Sequence, residues 1–201
     1  MTNKKYPSDC ELTQFLRERA ESRKESTNAL LKRAGRVKLL LLDVDGILTD
    51  GSIPYTATGE EIKTFNSRDG FGLNILQKIG VQIGLITARK SQALTRRAKD
   101  LRIVHLYQGA RNKVAVFREI IGKLNLDPAE TAFMGDDWLD IPLLARVGLA
   151  ATVADAVPEA KEIVHYVTKQ SGGRGGVREV CDLIIKAQGK REWLLNHVEE
   201  L

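Results

Sequence analysis

Two aspartates one residue apart, Asp43 and Asp45, follow the apolar run Leu39-Leu40-Leu41-Leu42. Such a run reads as a buried strand, and residues i and i+2 share one side of an extended chain. Two acids therefore meet at the strand's exit. Their mutual repulsion is costly unless a cation or a shared proton relieves it. Gly46 comes next and allows the backbone to turn tightly around whatever binds there. Paired carboxylates of this kind suit a hard divalent cation and nucleophilic attack on phosphorus. Packing alone does not call for them.

A second acidic set, Asp136, Asp137 and Asp140, follows the apolar stretch Thr131–Met134 and Gly135. No His or Cys stands beside either set, and all-oxygen donors favour Mg2+. Thr87 offers a hydroxyl and a backbone N–H at a strand-to-helix turn, a usual place to hold an anion. Taken alone it also reads as a helix N-cap. Lys113 opens a periodic helix and can supply a fixed positive charge to a phosphate or a nucleophile. Taken alone it also reads as a surface lysine. With these groups one carboxylate can attack phosphorus, while another protonates the leaving group and later takes a proton from water.

The elements that must position these residues alternate between apolar runs and helical periods. Strands are expected at 38–43, 81–86, 103–106, 131–134 and 148–153, with a sixth within 163–167. Leu73, Leu76 and Ile79 share one helical face, and Gly80 ends that helix. Ser91 caps a helix carrying Leu94, Ala98 and Leu101. Val114, Phe117, Ile120, Ile121 and Leu124 mark another helix, and Val177, Val180, Cys181, Ile184 and Ile185 a further one. Residues 51–65, with Pro54 and the Thr58-Gly59 turn signal, read as a β-hairpin flap. Strand–helix alternation of this type predicts an α/β fold, a Rossmann-like parallel sheet with helices on both faces. Ligands of such sheets bind at the carboxyl ends of the strands. Asp43, Asp45, Thr87, Lys113 and Asp136 all fall at that edge.

Composition narrows the classes. The chain has 201 residues and a formal charge of +5, but residues 1–38 carry ten Lys/Arg against five Asp/Glu, and the remainder balances at twenty-one of each. The basic character belongs to the N-terminal extension and gives no reason to expect nucleic acid as a partner of the main domain. No apolar run reaches the roughly 20 residues of a membrane span. Cys10 and Cys181 form no disulfide framework, and a reducing cytoplasm fits them. Three segments follow: an extension over 1–35, which reads as a solvated or partly ordered arm, or else as one that packs on a neighbouring subunit or binds a partner, where Leu12–Ala20 can form a weak amphipathic helix and Leu30-Leu31 a further turn; a domain over 36–188; and a tail over 189–201. His105, His165 and His197 are separated and read as structural or exposed.

The block Asp43-Val44-Asp45-Gly46-Ile47-Leu48-Thr49-Asp50-Gly51, with Thr87, Lys113 and Gly135-Asp136-Asp137, resembles the haloacid dehalogenase superfamily. The runs Phe65-Asn66-Ser67-Arg68-Asp69-Gly70-Phe71-Gly72 and Ser171-Gly172-Gly173-Arg174-Gly175-Gly176-Val177-Arg178-Glu179-Val180-Cys181 bring it near the sugar-acid phosphatases, those acting on 3-deoxy-D-manno-octulosonate 8-phosphate in particular. The resemblance covers about residues 36–188. It implies Asp43 as nucleophile, Asp45 as general acid/base with its backbone carbonyl on Mg2+, Thr87 on the transferring phosphoryl group and Lys113 as charge neutraliser. It implies Asp43, Asp45 and Asp136 as the metal set, with Asp137 and Asp140 in support. Ala88 departs from the pattern, since many relatives place Gly there.

Arg68, Asp69 and Gly70 are candidates for contact with a sugar acid, Arg for its carboxylate and Asp for its hydroxyls. They also read as a turn and helix start. Arg89 and Arg174 are ambiguous in the same way, and the glycines around Arg174 can signify flexibility alone. The gap from the first acidic motif to Thr87 and the 26 residues from Thr87 to Lys113 hold no separate cap domain. The resemblance then implies a homotetramer with the hairpins packed centrally and the Arg174 loop reaching a neighbour's pocket. It implies Mg2+-dependent phosphate release in lipopolysaccharide precursor synthesis. Two other readings stay open: a phosphatase for a nine-carbon, sialic-acid-like 9-phosphate, and a non-catalytic scaffold of the same fold.

Overall fold

The computed structural model describes residues 27–200. Its centre is β1 (Leu39–Leu42), four leucines without solvent exposure. Burying each such side chain contributes about 1.5–3 kcal/mol. A strand apolar on both faces needs cover on both, and the chain supplies it with helices. In chain order they are α1 (Thr27–Ala34), α2 (Ser67–Lys78), α3 (Gln92–Asp100), α4 (Lys113–Leu124), α5 (Ile141–Leu144), α6 (Pro158–Ile163), α7 (Gly176–Ala187) and α8 (Arg191–Asn196). The other strands are β2 (Gln82–Thr87), β3 (His105–Gln108), β4 (Thr131–Met134), β5 (Leu149–Thr152) and β6 (Tyr166–Val167).

The six strands pair in parallel in the order β3-β2-β1-β4-β5-β6. The chain winds outward from β1 to β3, then returns to β4 on β1's other side. The switch point is the seam between β1 and β4, where ligands of such sheets bind. Register fixes what meets there. Leu42 pairs with Met134 on one side and Leu85 on the other. Asp43 and the Gly135-Asp136 turn therefore emerge side by side, and the Asp43 N–H donates to the Met134 carbonyl at 2.9 Å.

Helix starts follow the capping expectation. The side chains of Asn66, Ser91 and Asn112 accept from the N–H groups of Arg68, Leu94 and Ala115, which satisfies donors that the first turn leaves unpaired. Differences lie at boundaries. Strand β3 begins at His105 because Arg102, at φ 55°, spends the preceding residues on leaving α3. Most of 163–167 is not strand: Pro158 starts α6, its fixed φ suits a first helical turn, and only Tyr166–Val167 pairs with β5. The hairpin is held by the Tyr55–Glu61 bridge and by Ile62 N–H to Pro54 O and Thr56 N–H to Glu60 O, without continuous strands. At the ends, α1 buries Ala34 and packs on α7, and α8 buries Leu194. The helix expected near Leu12–Ala20 lies outside the described residues.

Candidate active site

Four charged side chains converge at the β1/β4 seam. The Lys113 ammonium, 4% exposed, lies 2.9 Å from Asp43 Oδ1 and 2.6 Å from Asp140 Oδ1. Helix α4 delivers it because Lys113 is the residue after the Asn112 cap. Asp140 is buried and fully engaged: its Oδ2 accepts the N–H groups of Asp136 (3.0 Å) and Asp137 (3.3 Å). It therefore fixes Lys113 and the Asp136 turn together. Oxygens of Asp43, Asp136 and Asp140 lie within 4.8 Å of one another.

One buried cation does not balance three carboxylates at this separation. Burial, then the charge of Asp140, pushes Asp43 up to about 7 even though Lys113 pulls it down. Burial, then Asp43, Asp140 and Asp137, pushes Asp136 up to about 7. Burial pulls Lys113 down, but the charges of Asp43 and Asp140 outweigh it and leave its ammonium held above the usual range. Asp136 Oδ1 is buried with no hydrogen-bond partner. An unpaired buried oxygen in an all-oxygen, charge-deficient cluster fits a divalent cation such as Mg2+. Gly46 exists here for that geometry: its φ is +85°, and a Cβ would stand 2.0 Å from Asp136 Oδ2.

Asp45 sits apart from this cluster. Its carboxylate pairs with Lys63 and stands 3.8 Å from Arg89 Nε. Its expected place on the metal concerned the backbone carbonyl, while the side-chain cluster contains Asp140 in addition to Asp43 and Asp136. Thr87 ends β2 on the same sheet edge and is buried; its Oγ1 accepts the Arg89 N–H at 3.2 Å. Arg89 is half-exposed and held by Glu61 at 2.6 Å. Asp137 is exposed and caps the turn Trp138–Asp140.

The glycine-rich segment is a brace. A Cβ on Gly172 would stand 1.8 Å from the Gly46 carbonyl oxygen. Gly173 N–H donates to Ile47 O at 2.9 Å, and Gly172 N–H to Asp155 Oδ1 at 2.9 Å. The segment is pressed against the loop that follows Asp43, so the glycines answer close approach rather than flexibility. Arg174 is exposed and lies 3.3 Å from Asp50. Asp69, expected to meet substrate hydroxyls, is buried, and its oxygens accept the N–H groups of Arg178 (2.8 Å) and Gly175 (3.3 Å). Gly70 is buried against Arg97, and Arg68 is exposed. Lys63 and Glu61 went unread from sequence. Their i, i+2 spacing on a hairpin leg, which puts both on one side, was the available signal.

The profile of the haloacid dehalogenase-like hydrolases matches residues 86–180. The 3-deoxy-D-manno-octulosonate 8-phosphate phosphatase KdsC of Yersinia pestis is 45% identical over 163 residues, 81% of this chain and 87% of the relative. A crystal structure of the Yersinia pestis phosphatase superposes with a TM-score of 0.81 at 45% identity, covering 82% of this chain and 89% of the other. The phosphatase of Moraxella catarrhalis, solved with magnesium, phosphate and the sugar acid KDO, gives a TM-score of 0.84 at 36% identity over 86% of this chain and 99% of the other. Sheet, site and similarity together define a haloacid dehalogenase-like enzyme that hydrolyses phosphoric monoesters. Within that class the chain belongs to the KdsC phosphatase family.

Proposed function

We propose that this chain is a Mg2+-dependent phosphatase of a phosphorylated sugar acid. The substrate is 3-deoxy-D-manno-octulosonate 8-phosphate, and the product is the free sugar acid used in lipopolysaccharide precursor synthesis. The observation that carries the reading is the buried Asp43–Lys113–Asp140 array with Asp136 at the sheet's switch point. The names of the KdsC relatives support the substrate, and the Moraxella catarrhalis complex supports the metal. Asp43 and Asp136, with the Asp45 backbone carbonyl, would hold one Mg2+, whose charge offsets that of the phosphate.

Asp43 attacks phosphorus with a carboxylate oxygen. The bond from phosphorus to the sugar's oxygen breaks, and Asp45 gives that oxygen a proton, so the sugar acid leaves as an alcohol. Asp45, now a carboxylate, takes a proton from a water that attacks the aspartyl-phosphate. The bond between phosphorus and Asp43 breaks, and inorganic phosphate leaves. Lys113 keeps Asp43 oriented and offsets charge in both steps. Thr87 holds the phosphoryl oxygens. Arg68, Arg89 and Arg174 would meet the sugar acid's carboxylate, while Asp69 holds the backbone of the loop that carries Arg174 and Gly70 lets α2 pack closely against Arg97.

We also propose that four copies assemble with their hairpins together and sites completed by a neighbouring subunit. Ile53, Tyr55 and Ile62 stand exposed on the hairpin, which supports this. Among the described residues no helix is long and apolar enough to cross a membrane, and a cytoplasmic location agrees with the free, buried Cys181.

The test is phosphate release from a panel of sugar-acid phosphates, with and without EDTA. The eight-carbon substrate is expected to exceed a nine-carbon 9-phosphate, and EDTA to abolish both. Removing one preorganised electrostatic group costs about 10²–10³ in rate, so Asp43→Asn is expected to lower turnover by at least about a thousandfold with the fold intact. Near-normal turnover in that variant would end the nucleophile assignment.

A further inference from the structure

The mechanism requires more of Asp45 than a carboxyl group. The proton must be aimed first at the leaving oxygen and then at water, so the side chain needs a fixed direction. Nothing on its own strand holds it. The hairpin does. Lys63, on the returning leg, is 1% exposed at its side chain, and its ammonium pairs with Asp45 Oδ1 and lies 3.1 Å from Glu61 Oε1. Glu61 Oε2 holds Arg89 Nη2 at 2.6 Å, and Arg89 Nε faces Asp45 Oδ2 at 3.8 Å. Tyr55 Oη accepts from the same guanidinium at 3.2 Å. Two acids and two cations close a ring: Lys63 holds Asp45 Oδ1 as an acceptor, and Oδ2, with Arg89 Nε beyond hydrogen-bond range, is the oxygen that carries the proton delivered to the leaving group.

The two cations differ in what they can impose. The Arg89 side chain is 40% exposed and stands at long range. Lys63 is buried and in direct contact. A buried ion pair is weak evidence for stability, because an apolar pair of similar volume serves the fold as well or better. A hairpin that needed only to fold would not bury an ammonium against the next carboxylate after the nucleophile. We infer that Lys63 is a positioning residue: through Asp45 it holds the acid/base carboxyl in the direction the leaving oxygen requires, and Glu61 steadies it from behind. This inference rests on the acid/base reading of Asp45 given above.

Leaving groups separate this role from simple structural support. A sugar alkoxide must be protonated as it departs, whereas p-nitrophenolate is stable without a proton. The ratio kcat/KM covers only the steps through leaving-group release, which isolates Asp45's acid role from its later base role. General acid catalysis is worth about 10²–10⁴-fold, so Lys63→Met is expected to lower kcat/KM for the sugar-acid phosphate by about 10- to 100-fold. For p-nitrophenyl phosphate the fall should stay under about threefold, because that ester needs little acid assistance.

Asp45→Asn is the reference and should show the same selectivity, larger in size. Equal losses on both esters in Lys63→Met, or no loss, with Asp45→Asn still selective, would overturn the positioning role and leave Asp45's role intact. An unselective Asp45→Asn would overturn the acid/base reading and this inference with it. Lys63→Gln, which keeps polarity without charge, reads the same ratio if Lys63→Met does not fold.

Discussion

At the scale of the residue, the site is a problem of charge. Asp43, Asp136 and Asp140 crowd around the single ammonium of Lys113. Burial and the neighbouring carboxylates push Asp43 and Asp136 up to about 7, against 3.8 for an ordinary aspartate. Between these values the folded state holds more protons than the unfolded chain, so stability falls as pH rises from about 4 to about 7. Below that window both states are protonated and the penalty is absent; above it the penalty is complete. A bound divalent cation takes the place of the protons and removes it. In thermal melts, Mg2+ should therefore raise the midpoint more at about pH 8 than at about pH 5. An equal rise at both would contradict the crowding. The sequence pointed to Asp43, Lys113 and Asp136 at one sheet edge because each follows an apolar run or opens a periodic helix. It marked Lys63 only through the i, i+2 spacing from Glu61, since a lysine in a hairpin reads as solvated until the fold closes over it.

At the scale of the element, strand interiors were legible and boundaries were not. Four consecutive leucines admit few readings, and β1 and β4 lie where their apolar runs lie. Strand β3 starts late because a left-handed residue, Arg102, ends the preceding turn, and no pattern in side chains announces that. The segment 171–176 stayed open in the sequence for a related reason: glycines signal both freedom and contact. Here the contact decides. Adding one methyl at Gly172 places it 1.8 Å from a backbone oxygen of Gly46, which cannot swing aside as a side chain would. Gly172→Ala should destabilise the fold by about 1–3 kcal/mol, as overpacking does. It should also displace the loop after Asp43 and reduce turnover about tenfold or more, since small misplacements of reacting groups are costly. Denaturant melts and phosphate release check the two halves. A variant with wild-type stability and rate would show that the brace is not tight.

At the scale of the whole molecule, the order β3-β2-β1-β4-β5-β6 turns scattered motifs into one pocket, because both halves of the winding begin at the same seam. Alternation of strand and helix made a parallel sheet legible in the sequence; the strand order comes from the structure. Among the described residues, the side chains of the site are themselves buried or half-buried, but apolar groups stand exposed on the elements beside it. The hairpin is short, and it exposes Ile53, Tyr55 and Ile62, while Trp138 and Leu139 stand exposed next to Asp137. Exposed apolar side chains clustered beside a site that must exclude water need a covering surface. In the proposed assembly further copies of the chain would provide one, in a closed symmetric arrangement. Sedimentation at micromolar concentration should give four copies per particle. Tyr55→Lys together with Ile62→Lys should shift the population to smaller species and lower kcat/KM for the sugar-acid phosphate about tenfold or more, because a loosened site no longer holds its groups in reacting geometry. A wild-type monomer, or a dissociated variant with full activity, would show that one protomer closes its own site.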